Sequence, residues 1–403
     1  MKESAAIKLE KSLVFNNSIV KVLDLGMHAF ADSFLSNKDL PFSEPIYPLS
    51  VVLDPTSGLL HNEYLTPAID RYNSVDYSYT SSSSIFFRNH WASFVPLVKS
   101  LGGKTGDSVV EVGSNDGYLC SLLMNSGYIV NGVDVSENMA KQAIANGIPT
   151  HNKLFGLNSA LELVDSIGKC DFLIANNVFN HANDPLDFLF GIKQLLKETG
   201  LFVIEVPYWK TQIENNRFDM VYHEHITYFT VSSMMKILKE SGMYIKDIQV
   251  VNSHGGSLRI IGSKFKTENS IVEKMKKDED ESGIFTAEFY SAASKRINYI
   301  RAKTMNKIYE IGDDEKIYGI GAAAKANTLL TYFGLNSTLI SAITDSSPFK
   351  IGKYTPLTRI PIVPDSYLGE DPNCWAIILS WNLGDDLRKL LSKINPQLRY
   401  IEI

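Results

Sequence analysis

Residues 107–117, DSVVEVGSNDG, set a short apolar run directly before a polar turn bounded by two glycines. A run of this length that ends at glycine and gives way to a helical pattern reads as a strand feeding a helix. Backbone N–H groups at a helix start favour an anionic group, and glycine lets a ligand approach closely. A dinucleotide turn would read G-x-G-x-x-G, whereas here three polar residues separate Gly113 from Gly117. Asp134 follows about 20 residues later at the end of the next strand-like run, where a carboxylate can bind a ribose diol. Acid-x-Gly-x-x-x-Gly with that second acid suits S-adenosylmethionine (SAM) better than NAD. The alternative is a tight strand–helix turn that holds no ligand.

Working outward, YIVNGVDV (128–135), CDFLIANN (170–177) and GLFVIEVP (200–207) are further strand-like runs, with amphipathic stretches of helical length at 136–146 and 184–197. Such alternation predicts a parallel sheet wound on both faces. MYIKDIQVV (243–251) and SLRIIGS (257–263) have only a short turn between them, so they should pair antiparallel. Residues 266–311 are charged and helical, a solvated bridge to a second α/β rhythm in KIYGIG, LISAITD and CWAIILSW. The first hundred residues read as loops and short strands with no strong helix. The expected fold class is α/β, divided into an irregular N-terminal domain at 1–90, a Rossmann-like domain at 91–265 and a C-terminal α/β domain at 266–403.

The 403 residues suffice for two or three domains, and 44% hydrophobic with 21% charged residues is an ordinary globular composition. A net charge of −6 and a pI near 5.8 give no electrostatic reason to expect nucleic acid as a partner. No apolar run reaches the roughly 18 residues of a membrane span, and MKESAAIKLEKS lacks the apolar core of a secretory signal. The expectation is a soluble cytoplasmic protein. Cys120, Cys170 and Cys374 are too scattered for a disulfide framework or a zinc site.

Gly113, Asp134, Asn177 and Pro207 each end a predicted strand, and ligands bind outside such carboxyl ends. His181 lies four residues past Asn177, and YHEH (222–225) falls in the insertion after Pro207. This motif should therefore hang over the cofactor. A zinc protease spaces its histidines as H-E-x-x-H, whereas His223 and His225 are two apart with no third ligand nearby. Histidines satisfied by backbone partners are a second alternative. The favoured reading is acid–base chemistry, in which an imidazole is oriented by a neighbouring carboxylate. Carbon methylation needs such a base, because a C–H beside a ketone must lose its proton before the carbon attacks a sulfonium methyl. The tyrosine hydroxyl could donate to the enolate oxygen. If the segment is locally extended, His223 points away from His225 and matters less.

YSYTSSSS (77–84), EVGSNDGYL, NNVFNHANDPLDF, IEVPYW, FDMVYHEHITYF, SHGGSLR (253–259), YGIGAAAKANTLL and SPFKIGKYTPLTRIPI occur in this order. Together they resemble the sugar C-methyltransferases that act on nucleotide-linked keto-deoxysugars. The resemblance covers nearly the whole chain. It implies a zinc-binding N-terminal domain, a SAM-binding central domain and a C-terminal domain that helps bind the nucleotide sugar. It also implies His225 as general base beside Tyr222 and Glu224, with Tyr79 and His181 in the active site. Cofactor contacts would fall on Glu111, Gly113, Asn115, Gly117, Asp134 and Asn177, and sugar-nucleotide contacts on His254, Arg259 and Lys325. The family carries two C-x-x-C pairs near its N-terminus, where this chain has Ser12, Phe15, Asp54 and Ser57, so no zinc is expected. Ala323 stands where the family has proline, and Ala326 and Leu357 stand where it has glycine. The reading that results is a SAM-dependent C-methyltransferase of an NDP-4-keto-deoxyhexose at C3. O-methylation of a sugar or small alcohol, or an idle nucleotide-sugar-binding paralogue, are the alternatives.

Overall fold

The computed structural model describes residues 6–72, 82, 85–312 and 314–403. Three main sheets organise them. The central sheet has seven strands, in the spatial order Tyr244–Val251, Ser257–Ser263, Leu196–Pro207, Cys170–Asn176, Ser108–Val112, Ile129–Asp134 and Thr150–Asn152. The last five run parallel, and Ser257–Ser263 is antiparallel to both of its neighbours. Val109, Val110, Leu173, Ile174, Val203 and Ile204 are nearly inaccessible, as expected of strands covered by helices on both faces. Those helices start where polar caps sit: Ser136 accepts from Met139 N, Asp184 from Asp187 N, and Thr230 from Ser233 N.

The N-terminal region departs from expectation. It is built on a four-stranded antiparallel sheet whose strands Val20–His28 and Tyr47–Asp54 are nine and eight residues long. Two short helices, Ile85–Ala92 and Phe94–Ser100, follow it. Each helix is too short for propensity to announce it, and burial of Trp91, Phe94 and Val98 supplies its stability. The fourth strand of this sheet, Thr227–Tyr228, comes from the insertion and leaves YHEH to pair with Leu59–Asn62. That pairing fixes the YHEH turn against the N-terminal sheet.

The charged bridge is two helices, Ser270–Ser282 and Ala287–Glu310. Glu279 docks the first, its carboxyl accepting from Tyr208 Oη, Val231 N, Ser232 N and Ser232 Oγ at 2.6–2.9 Å. The third sheet is parallel throughout, in the order Ile362–Pro364, Ala342–Asp345, Ile317–Ile320, Trp375–Ile378, Arg399–Ile401. One core runs from the N-terminal sheet (Leu49, Val51) through Trp209 and Phe218 to Phe333 and Ile343 of this third unit. Among the described residues no helix is long and apolar enough to cross a membrane.

Candidate active site

A cavity of about 350 Å³ opens at the carboxyl edge of the central sheet. Glu111, Gly113, Asn115, Asp134 and Asn177 line one end, and His181, Tyr222, Glu224, His225 and His254 line the other. The sequence-based placement of YHEH beside the glycine turn is what the structure has.

At the first end Gly113 takes a φ of +72° and packs where a Cβ would lie 3.0 Å from Val178. Gly117 also has a positive φ, but it faces Ala143 and Ile148 instead of the cavity, so its role is helix packing and not contact with a ligand. Asp134 accepts from Asn115 N at 2.7 Å and from Ser136 N at 2.8 Å. Burial outweighs these bonds and pushes its carboxyl up to about 6. Glu111 is pushed by burial up to about 8, against the opposing hydrogen bond from Cys120 Sγ at 3.0 Å. The side-chain atoms Asn176 Nδ2 and Oδ1 and Asn177 Oδ1 have no hydrogen-bond partner among the described residues. Both asparagines line the cavity, so these atoms are available to a polar ligand there.

At the second end the tautomer of His225 follows from its partners. Its Nδ1 lies 2.9 Å from the Met220 carbonyl, which can only accept, so Nδ1 carries the hydrogen. Nε2 is left as an acceptor and takes the Tyr222 hydroxyl at 2.6 Å. Burial, with His181 beside it, holds the imidazole well below its ordinary range. It is therefore neutral at pH 7. The His181 ring lies 5.0 Å from that of His225, and burial lowers its own value to about 3.

Glu224 does not orient His225 as the sequence suggested. Its Oε1 accepts from Asp32 N at 3.3 Å, and Oε2 has no partner among the described residues. Burial, then the charge of Asp32, raises it to about 7. The turn is closed by His225 N donating to Tyr222 O at 3.0 Å and is not extended, yet His223 does face away. Its Nε2 reaches Pro48 O at 3.3 Å, and its ring packs edge-on to Phe30 and Tyr47.

Of the residues expected to meet a substrate, only His254 lines the cavity, at a φ of +50°. Arg259 turns the other way: its Nε donates to the buried Glu205 at 3.0 Å, and its guanidinium stacks on Phe94. An arginine beside a buried glutamate is held by it. Lys325 lies over the Trp381 ring at 3.5 Å and donates to Asn382 Oδ1 at 2.5 Å, while its neighbour Ala324 reaches the cavity wall. Burial lowers Lys325 to about 7. Tyr79 lies outside the described residues. Asp32, Trp91 and Asn183 also line the cavity and were missed: no motif or periodicity surrounds Asp32 and Trp91, whereas Asn183 lies inside NNVFNHANDPLDF, two residues past His181, where the motif could have pointed to it.

Residues 88–247 match a methyltransferase domain family, and residues 252–397 match the C-methyltransferase C-terminal domain family. The chain is 28% identical over 372 residues to C-methyltransferase NovU of Streptomyces niveus, covering 91% of this chain and 88% of that one. The chain is a SAM-dependent C-methyltransferase. Its likeness to a ubiquinone biosynthesis O-methyltransferase of Rhodopseudomonas palustris is 28% over 106 residues, 26% of this chain and 42% of the relative. Among solved structures, magnesium protoporphyrin IX methyltransferase of Synechocystis with bound SAM aligns with a TM-score of 0.34 at 16% identity, over 44% of this chain and 79% of that one.

The N-terminal zinc that the resemblance implies does not fit the residues present. Both Asp54 carboxylate oxygens are taken: Oδ1 by Thr56 N (2.9 Å) and Ser57 N (3.1 Å), Oδ2 by Asn17 Nδ2 (3.0 Å) and Ser57 Oγ (2.5 Å). Burial raises its carboxyl, but the Ser57 and Asn17 donors lower it more, so it lies below the ordinary value. His61 closes the same knuckle, with Nε2 accepting from Leu13 N at 3.1 Å. Phe15 packs into the apolar core. Among the described residues no group of three His, Cys, Asp or Glu is placed to hold a metal.

Proposed function

We propose that this enzyme transfers the methyl of SAM to the carbon alpha to the ketone of an NDP-4-keto-deoxyhexose, at C3, through a base-generated enolate. One observation carries the reading: the Met220 carbonyl fixes the His225 tautomer, so Nε2 presents its lone pair at the cavity wall beside the Tyr222 hydroxyl. Glu111, Gly113, Asn115, Asp134 and Asn177 hold SAM, with the ribose diol on Asp134. The substrate C–H takes the place of the tyrosine hydroxyl at Nε2. His225 removes the proton, and the released Tyr222 hydroxyl donates to the enolate oxygen. The carbon then attacks the methyl in line with the departing sulfur, and alignment of the two ligands in one cavity supplies much of the acceleration. His254 and the helix that starts at Ala324 face the sugar nucleotide. NovU, a C-methyltransferase similar over nearly the whole chain, supports carbon as the acceptor.

The test is product NMR with methyl-¹³C SAM and a panel of NDP-4-keto-deoxyhexoses. A methyl carbon bonded to C3 is expected. A methyl on oxygen would end the reading.

A further inference from the structure

Three consecutive residues of the active-site turn are gripped from the N-terminal sheet and the loop beside it. His223 reaches Pro48 O, Glu224 accepts from Asp32 N, and the carbonyl of His225 accepts from Asn62 Nδ2 at 3.0 Å. Asn62 stands out because the turn and its exit strand engage both ends of its side-chain amide and its backbone N–H. Nδ2 also reaches Tyr222 O at 3.4 Å, Oδ1 accepts from Tyr228 Oη at 2.8 Å, and its backbone N–H donates to Ile226 O at 2.8 Å. The residue is 1% exposed.

We propose that Asn62 is a positioning residue for methyl transfer, holding the carbonyls of Tyr222 and His225 so that the tyrosine hydroxyl and Nε2 meet at the cavity wall. The inference rests on the reading of His225 as the base. Two carbonyl dipoles share the donors of one amide, and Tyr228 fixes which end of that amide faces them. Aspartate has the same shape, but it would set a carboxylate oxygen against two carbonyl oxygens. Alanine would leave the His225 carbonyl buried without this donor, a defect that the turn relieves by moving. His225 Nδ1 is tied to Met220 O, so a shift of the turn disturbs that bond and with it the tautomer.

The test is a double-mutant cycle of Asn62→Ala with His225→Ala, using SAM and dTDP-4-keto-6-deoxyglucose, alongside ¹⁵N NMR of the histidine rings, which needs no substrate. Asn62→Ala should lower kcat about ten- to a hundredfold, the scale of an ångström of misplacement. KM and affinity for S-adenosylhomocysteine should stay near wild type. Added to His225→Ala it should cost nothing further. The wild-type His225 ring should show the Nδ1–H tautomer, and Asn62→Ala a mixture. Tyr228→Phe keeps the core intact and should give a smaller change of the same kind, which serves if Asn62→Ala does not fold. Equal losses in both backgrounds, or an unmoved tautomer in both variants, would overturn the role of Asn62 and leave the base reading standing. His225→Ala at the wild-type rate would remove the base reading, and this role with it.

Discussion

Two sheets of the chain carry parallel strands, the first of which is followed directly by glycine in each, and their carboxyl edges are finished in different ways. At the central sheet the edge opens into a cavity with orphaned amide atoms at Asn176 and Asn177. At the third sheet the corresponding turn is satisfied from within. Asp345, at the end of its second strand, accepts from Ala322 N at 2.7 Å, and Lys350 Nζ donates to Ala322 O at 2.8 Å. A Cβ on Gly321 would lie 2.2 Å from Ser380 Oγ. Gly319-x-Gly321-x-x-Ala324 followed by Asp345 reads as a nucleotide fingerprint, and Asp345 caps its turn through Ala322 N as Asp134 does through Asn115 N. Topology alone does not tell the two edges apart. The space beside each turn does: a cavity borders Gly113 and Asp134, and Ser380 fills the place beside Gly321.

Substitutions test that contrast, in descending order of expected effect. His225→Ala should lower kcat by about 10²–10⁴-fold, as removal of a general base does, and leave S-adenosylhomocysteine binding intact by calorimetry. Asp134→Ala should weaken that binding by about one to two decades, the worth of a charge-assisted hydrogen bond. Asp345→Ala, its counterpart in the third sheet, should leave the affinity unchanged and lower the unfolding midpoint instead. A fall in affinity there would erase the distinction between the edges.

The same carboxyl gives a pH dependence. Ribose hydroxyls donate to the ionised form, so binding lowers the Asp134 value from about 6. Affinity for S-adenosylhomocysteine should therefore be full above pH 6 and fall by up to about tenfold per unit below it. Asp134→Asn should flatten that limb. The last test concerns the stability of the N-terminal knuckle. Chelators should leave the unfolding midpoint unchanged, while Asp54→Ala, which strands several donors, should cost roughly 3 kcal/mol. About one zinc per chain surviving chelation would contradict the hydrogen-bonded knuckle.

Six of the seven central strands were legible because they are apolar runs bounded by helical periodicity or a short turn, and because glycine and carboxylate positions at strand ends have few other uses; Thr150–Asn152, three polar residues, was not. The place of YHEH on the same cavity as the glycine turn was legible from the strand order. Partner choice was not. Glu224 looked like the orienter of His225 because they are adjacent in sequence, yet neighbours in a tight turn point apart, and the orienting group is a backbone carbonyl, Met220, that no sequence pattern marks. Arg259 looked like a ligand contact until Glu205, 54 residues earlier, took it. The strand Thr227–Tyr228 is two residues long and pairs with Leu59–Asn62, a contact too distant and too short to leave a periodic trace.

The base is tested most directly by proton exchange without methyl transfer. Enzyme, S-adenosylhomocysteine and an NDP-4-keto-deoxyhexose are held in D₂O, and ¹H NMR follows the position alpha to the ketone. Wild type should wash deuterium into C3, and His225→Ala should not. Exchange at an undiminished rate in His225→Ala would contradict the account and place the base elsewhere in the cavity.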